Sequence, residues 1–277
     1  MKPVVYLNGE YVAKENAVLN VSDLAILRGY GIFDYFRYAA GRPRFVEDHL
    51  DRFFRSADQM DLEMPVSRDE LRTAVHELIA RNGGGDGGIR FVLTGGYAPD
   101  GYTPTTPNLV AMAYPFTEPG PECYEQGVKV LLHRYERQLP QVKSIDYLEG
   151  IRIQPLLRRR GADYALYEDR DGYVRESDRS NFMLVKDGVL VTPEEAILHG
   201  ITRLHLLRLA GQLGIPTQQR AVSAAELKAA DEAIICSSTK GAMPITVIDG
   251  EPVADGKPGP VTRRLLSAWP AYLAERS

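Results

Sequence analysis

Residues 115 to 121 read Pro115-Phe116-Thr117-Glu118-Pro119-Gly120-Pro121, a run that neither a helix nor a central strand can carry. Each proline lacks an N–H and fixes φ, and it drives the residue before it out of the helical region. The 277 residues are therefore expected to divide here, since single cores stop growing at ~250–300 residues. The division predicts an N-terminal domain over 1–115, a linker over 116–123 and a C-terminal domain over 124–277.

Hydrophobic periodicity gives both halves strands and helices. The first half opens with a hairpin over Val4-Val5-Tyr6-Leu7 and Tyr11-Val12, turned by Asn8-Gly9. A helix with Asp48 as N-cap carries Leu50, Phe53, Phe54, Ala57 and Met60 on one stripe. A second starts at the capping box Ser67-Arg68-Asp69-Glu70 and ends near Gly83. Strands are expected over 89–94 and Leu109–Tyr114. Past the linker come strands over 128–132 and 163–167, then a hairpin of 182–185 and 189–191 across Asp187-Gly188. A helix from Thr202 and strands over 232–236 and 245–248 follow. The fold class is mixed α/β, of the α+β kind.

The charge is close to balance, with Lys+Arg 33 against Asp+Glu 37, a net of −4. That argues against a nucleic-acid binder, which works by a basic excess. No apolar run approaches the ~18 residues of a membrane span. Met1–Gly9 lacks the apolar stretch of a signal peptide, and Cys123 and Cys236 form no CxxC, so a reducing cytoplasm is the expected location.

Three local patterns do not carry the chemistry they resemble. Gly83, Gly85 and Gly88 match G-x-G-x-x-G, but a helix precedes and a strand follows, the reverse of a dinucleotide site; a flexible loop is expected. His76-Glu77 starts H-E-x-x-H with Ala80 in place of the second histidine, and no other histidine has ligand spacing, so no metal is expected. Ser237-Ser238-Thr239-Lys240 matches S-x-x-K, yet neither S-x-N nor K-T-G follows it.

The cations are unequal in kind: 8 lysines and 25 arginines. A lysine that attacks a carbonyl must be partly buried, because desolvation lowers its pKa. Lys2, Lys14, Lys186 and Lys257 lie at the terminus or in turns, Lys228 on a polar helix face and Lys129 facing outward on a strand. Lys143 and Lys240 remain. On position alone Lys143, between a strand and a helix, still reads as a surface lysine.

Its company decides. Lys143-Ser144-Ile145-Asp146-Tyr147-Leu148, Glu176-Ser177-Asp178-Arg179-Ser180-Asn181-Phe182, Ile197-Leu198-His199-Gly200-Ile201-Thr202-Arg203 and Ser237-Ser238-Thr239, in that order, resemble the fold-type IV pyridoxal 5′-phosphate enzymes. The likeness runs from Arg28-Gly29-Tyr30-Gly31-Ile32-Phe33-Asp34 to Pro244. It implies a homodimer of two-domain chains, each a two-layer α/β sandwich followed by an α/β pseudo-barrel, with the cofactor between the domains. By the resemblance Lys143 bonds the cofactor and then moves a proton between substrate Cα and cofactor C4′. Glu176 would face the pyridine nitrogen, within the family's E-x-x-x-x-N-F context that includes Asn181, and Leu198 would pack on the ring. Tyr147 would reach the phenolic oxygen. The phosphate would lie on Ile201 and Thr202 at a helix N-terminus, on Ser238 and Thr239, and on Arg52, which on its helix alone reads as a solvated cation.

The substrate side departs from the familiar subgroups. Branched-chain aminotransferases usually carry tyrosines where this chain has Arg28 and Gly88. Familiar D-amino-acid transaminases trap the substrate carboxylate with an Arg and a His in R-G-x-A-x-x-x-H; Gly95-Gly96-Tyr97-Ala98-Pro99-Asp100-Gly101-Tyr102 has neither. Arg28 and Arg90 are the replacements, beside Phe33, with Arg28 in a loop that in this family reaches the neighbouring subunit. Arg37 also resembles a family position, and Arg90 also suits a structural ion pair. The chain is most similar to a less typical group of D-amino-acid transaminases, which act on amino acids and 2-oxo acids. The alternatives are a branched-chain L-amino-acid aminotransferase and an aminodeoxychorismate lyase.

Overall fold

The computed structural model describes residues 3–276. Contacts divide the chain into two units. The first holds the residues up to Thr117 together with Val142–Asp146 and the C-terminal end, and the second holds Glu118–Gln141 and Tyr147–Glu275. Lys143 thus packs with the first unit, although the residues on either side of its segment belong to the second.

In the first unit, strands β1 (Val4–Leu7), β2 (Glu10–Ala13), β3 (Gly31–Ala39), β4 (Arg42–Pro43), β5 (Gly87–Thr94) and β6 (Leu109–Tyr114) form one antiparallel sheet in the order β2-β1-β6-β5-β3-β4. Helices α1 (Leu24–Arg28), α2 (Val46–Gln59) and α3 (Arg68–Arg81) complete it. Leu50, Phe53 and Ala57 of α2 and Leu71, Val75 and Leu78 of α3 meet Phe36, Phe91 and Leu93 of the sheet in a single buried cluster. These are the i, i+3, i+4, i+7 positions of amphipathic helices, and the result is a two-layer sandwich.

Helix α3 begins as its capping box requires, with Ser67 accepting from the Glu70 N–H and the Glu70 carboxylate accepting from the Ser67 N–H. Helix α2 starts two residues before the expected Asp48 cap. Phe45 precedes it at φ 53, and Glu47 and Asp48 lie in its first turn, where their charge complements the N-terminal dipole without capping it. The glycine run is only partly a loop, since Gly87 and Gly88 are strand residues of β5. Their missing side chains make room for two tyrosines of β3. A Cβ on Gly87 would lie 2.3 Å from the Tyr38 Oη, and one on Gly88 only 2.1 Å from the Tyr35 Oη.

The second unit holds β7 (Val128–Arg134), β8 (Tyr164–Glu168), β9 (Val174–Ser177), β10 (Asn181–Lys186), β11 (Val189–Thr192), β12 (Thr217–Gln219), β13 (Glu232–Ser237), β14 (Gly241–Ile248) and β15 (Glu251–Pro252). Eight of them run β12-β11-β10-β13-β14-β7-β8-β9, and β15 pairs with β14. Helices α4 (Glu122–Glu125), α5 (Leu148–Arg152), α6 (Gln154–Arg160), α7 (Ile201–Gln212), α8 (Ala224–Lys228) and α9 (Pro260–Ala274) lie between or after them. β9 ends the sheet order while β10 lies near its other end, yet the Ser177 N–H donates to the Ser180 carbonyl at 2.7 Å in the turn that joins them. A sheet whose distant strands are joined by so short a turn has to curl, and it forms a half-barrel. The α7 helix starts at Ile201, one residue earlier than the pattern suggests. Among the described residues no helix is long and apolar enough to cross a membrane.

Asp23 shows how the first unit fixes its loops. Fully buried, it caps α1 through the Ala25 N–H and accepts from the Thr94 hydroxyl and the Asn108 amide, each at 2.8 Å. Asp23→Ala is expected to cost about 3 kcal/mol, because two buried donors lose their partner with the cap. Ser67→Ala at the exposed cap of α3 is expected to cost about 1 kcal/mol. Urea unfolding of the two variants checks the ranking.

Candidate active site

In the first unit the site is built on the Gly31 end of β3. Strand β4 pairs only with Tyr38 and Ala39 at the far end, which leaves an edge to be covered near Gly31. Val142–Asp146 covers it. The Phe33 N–H donates to the Lys143 carbonyl at 2.9 Å and the Ile145 N–H to the Gly31 carbonyl at 3.0 Å, while Ser144 bridges Ile32. Gly31 permits this approach, since a Cβ there would lie 2.7 Å from the Leu93 carbonyl oxygen and 3.2 Å from Ile145 Cδ1. The Lys143 N–H also reaches the Ser56 hydroxyl at 3.4 Å. The result is a half-buried primary amine whose Nζ stands 4.5 Å from the centroid of the Phe33 ring.

Residues alternate across a strand, so Asp34 projects from the opposite face to Phe33. There it is fully buried with two residues of α2. Arg52 grips it with Nε and Nη2, both at 2.8 Å, and His49 Nδ1 lies 2.7 Å away. Burial favours the neutral acid, but the Arg52 and His49 contacts outweigh it and hold the Asp34 carboxyl far below the usual carboxylate range. Burial pushes the His49 imidazole down, against the pull of Asp34. Arg52 is therefore a buried, oriented guanidinium, not the solvated cation its helix position suggests.

Beside Lys143 runs a second cationic wall. Arg90 of β5 pairs across the ladder with Tyr35 of β3. Its guanidinium lies 5.7 Å from the Phe33 ring centroid, 5.9 Å from Tyr35 and 5.4 Å from Tyr114. The Lys143 ammonium and the Arg90 guanidinium thus share one aromatic ring. Tyr35 fills the space above Gly88, and burial raises its hydroxyl pKa. Arg28 is elsewhere: exposed at the C-terminus of α1, it donates to the carbonyl of its own neighbour Leu27. Arg37 stacks on Phe116 at 3.4 Å.

The second unit gathers the other candidate residues. Glu176, buried on β9, accepts from Arg137 Nη1 at 2.7 Å and from the Leu198 N–H at 3.0 Å. Asn181, at the start of β10, donates to the Leu198 carbonyl at 2.8 Å. The Glu176 and Asn181 side chains therefore fix the same residue from both sides, and Leu198 leads through Gly200 into α7. There Ile201 and Thr202 are buried in the first turn, whose N–H groups suit an anion. The β13–β14 hairpin turns at Ser238, Thr239 and Lys240, and the Ser237 and Thr239 hydroxyls bond at 3.1 Å. Burial, aided by Asp178 and Glu176 and opposed by Arg137 and Arg179, pushes the Tyr147 phenol up to about 12. Arg137 was not among the residues the sequence singles out. It sits in an irregular segment after β7, with no motif to mark it, and its second partner is the Pro140 carbonyl at 2.9 Å.

The first unit thus holds an amine beside an aromatic ring, and the second a buried acid paired with an arginine and a buried threonine in the first turn of a helix. The model of the amino-transferase class IV family matches residues 31–248, and the chain belongs to that family. It is a pyridoxal-phosphate-dependent aminotransferase. It is 34% identical over 279 residues to the D-alanine aminotransferase of Staphylococcus epidermidis, covering 99% of each chain. It is 30% identical over 271 residues to a putative branched-chain-amino-acid aminotransferase of Methanocaldococcus jannaschii, covering 94% of this chain and 93% of the other. Among solved structures, the branched-chain amino acid aminotransferase of Escherichia coli superposes with a TM-score of 0.93 at 28% identity. That match covers 100% of this chain and 96% of the other.

Gly200 gives this geometry a sharp test. A Cβ there would fall 1.9 Å from the Asn181 Oδ1, so Gly200→Ala is expected to swing Asn181 off the Leu198 carbonyl. Cofactor affinity should fall about 10-fold, the cost of one buried hydrogen bond. A second change, Asn181→Ser, should recover part of the loss by removing the clash. Absorbance titration of the apoenzyme with pyridoxal 5′-phosphate measures both.

Proposed function

We propose that this aminotransferase transfers the amino group of D-amino acids, such as D-alanine or D-glutamate, to 2-oxoglutarate or pyruvate. The observation that carries the reading is the Phe33 ring with Lys143 on it at 4.5 Å and Arg90 at 5.7 Å. In an amino acid the carboxylate and the reacting nitrogen share one carbon. A substrate whose nitrogen is at Lys143 therefore has its carboxylate within reach of the Arg90 side. A charge-assisted pair with a guanidinium is the strongest contact available to that group. The D-alanine aminotransferase likeness supports the same substrate class.

Bound pyridoxal phosphate supplies the electron sink that makes the substrate Cα proton acidic. The chain's own residues do the rest. Lys143 would hold the cofactor through its Nζ, and the same amine would be the base for the substrate Cα proton. Glu176, oriented by Arg137 and the Leu198 N–H, holds a proton on the pyridine nitrogen. Leu198, its carbonyl fixed by Asn181, would pack on the ring. Tyr147, with its phenol protonated well beyond neutral pH, donates toward the cofactor's phenolic oxygen. Ile201, Thr202, Ser238 and Thr239 bind the phosphate with amides and hydroxyls. Arg52, oriented by Asp34 through Nε and Nη2, would add a guanidinium.

Arg28 completes the carboxylate site from a second copy of the chain. Along β3, Gly31 and Tyr35 are separated by about 14 Å of strand, so the Arg28 and Arg90 of one chain approach the sheet at different places. The residues leading into Arg28 have the surface of an interface: Val18, Val21 and Ile26 are 71%, 76% and 58% exposed. A homodimer that covers them would also carry Arg28 into its neighbour. The branched-chain likenesses support the second reading, an L-amino-acid aminotransferase.

Three measurements test these roles. Lys143→Ala should abolish turnover and the visible absorbance of the bound cofactor; a variant that keeps both sinks the assignment. Arg90→Ala should raise KM for D-alanine about 10- to 100-fold, the loss of one charge-assisted contact, with cofactor affinity unchanged. Bleaching of the holoenzyme by D-alanine and not by L-leucine separates the two substrate readings.

A further inference from the structure

Ser238 and Thr239 of the S-x-x-K segment are assigned to the phosphate above, but its lysine has no role described so far, and that lysine is buried. Lys240 is only 7% exposed. Its Nζ donates to the Ser180 hydroxyl at 3.1 Å and lies 4.6 Å from the Tyr164 ring centroid, and its carbonyl accepts from the Tyr124 hydroxyl at 3.0 Å. A buried ammonium is costly unless it is paired and hydrogen-bonded. One hydroxyl and one ring compensate it weakly, and burial brings its pKa down to about 8. An apolar side chain would fill the same space at lower cost. The position of the contact indicates what the lysine accomplishes.

Lys240 ends the three-residue turn that carries Ser238 and Thr239, because Ser237 of β13 pairs with Gly241 of β14. Ser180 ends the turn between β9 and β10, closed by the Ser177 N–H on the Ser180 carbonyl at 2.7 Å. That second turn joins Glu176 to Asn181. The Nζ–Oγ bond therefore connects the loop assigned to the phosphate with the turn whose flanks are assigned to the pyridine nitrogen and to Leu198. We propose that Lys240 is a positioning residue for the phosphate cradle, clamping the Ser238-Thr239 loop to the Ser177–Ser180 turn through Ser180. The proposal rests on the reading of Ser238 and Thr239 as phosphate ligands.

The clamp is strongest while the Lys240 amine is charged, because a charge-assisted hydrogen bond outweighs a neutral one. Asp178 and Arg179 face Lys240 from the turn between β9 and β10 and Cys236 from β13, with Tyr164 on β8 and Tyr124 on α4 as further titratable neighbours. The folded-state pKa is depressed, so the ammonium is present below about pH 8 and is lost above it. The phosphate is already a dianion there, its second pKa being about 6. Its preference for this enzyme should weaken as Lys240 deprotonates.

The test compares two ligands of the apoenzyme, pyridoxal 5′-phosphate and pyridoxal. The ratio of their dissociation constants isolates the phosphate, since any titration at Lys143 affects both alike. Lys240→Met and Ser180→Ala should each lower the phosphate preference, Lys240→Met by about 10-fold, with pyridoxal affinity little changed. The wild-type preference should decline from about pH 7 to about pH 9.5, the range in which the phosphate no longer titrates, and that of Lys240→Met should stay flat. Ser238→Ala serves as the control. If it lowers the preference while either Lys240→Met or Ser180→Ala does not, the clamp is overturned and the phosphate reading stands. If Ser238→Ala changes nothing, the phosphate reading fails and the clamp with it. Should Lys240→Met fail to fold, Ser180→Ala and the wild-type pH profile decide alone.

Discussion

Two backbone hydrogen bonds organise the first unit's contribution to the site: Phe33 N–H to the Lys143 carbonyl and Ile145 N–H to the Gly31 carbonyl. They turn five residues into a strand-like cover for the edge of β3 that β4 leaves open near Gly31, opposite the edge paired by β5. The chain leaves the second unit at Gln141, gives Val142–Asp146 to the first, and returns at Tyr147. A lysine on a surface loop would keep its rotamers and its water. On this edge, one flanking peptide is bonded to β3 and the side chain lies along Phe33, so the amine is held before any cofactor arrives. Such pre-organisation lowers the entropy cost of binding in the correct geometry. Gly31 is the residue that allows it, because any side chain there would meet the Leu93 carbonyl oxygen.

Much of this was legible in the sequence, wherever a local rule acts alone. The Ser67–Glu70 capping box, the Asp187-Gly188 hairpin and the helix after Gly200 are set by neighbours within a few residues, and the structure has them. The start of α2 departs from the sequence pattern because Asp48 is a good cap by type, while the actual break is set by Phe45 in the left-handed region. Gly87 and Gly88 looked like loop because their partners are far away in sequence: the tyrosines that replace their side chains come from Tyr35 and Tyr38. Arg137 was invisible for the same reason. Its meaning lies in Glu176, 39 residues on, and no spacing rule links a loop arginine to a strand acid at that range.

Burial separates the cations more sharply than composition could. Arginine tolerates burial because its planar fork can be satisfied by one carboxylate, as Arg52 is by Asp34. Lysine is a point charge that burial readily neutralises, which makes Lys240 the less expected of the two in a core. Both were marked by elimination or by family likeness, yet neither its helix nor its turn predicted that it would be inside.

The Tyr35–Gly88 arrangement bears on how substrate class can be read in such a chain. The family resemblance implies a tyrosine at the position of Gly88 in branched-chain aminotransferases, and a glycine there reads by itself as an opened pocket. Here the phenol returns from the paired strand, with its Oη where a Gly88 side chain would begin. The wall keeps its bulk, but the hydroxyl is now on β3, directly across the ladder from Arg90. An aromatic ring under a guanidinium holds it in place without neutralising it, as an acidic partner would. The same exchange that preserves the volume of the wall therefore keeps a positive charge available on it. That combination arises from a pair of positions on two strands that no single-residue comparison would reveal.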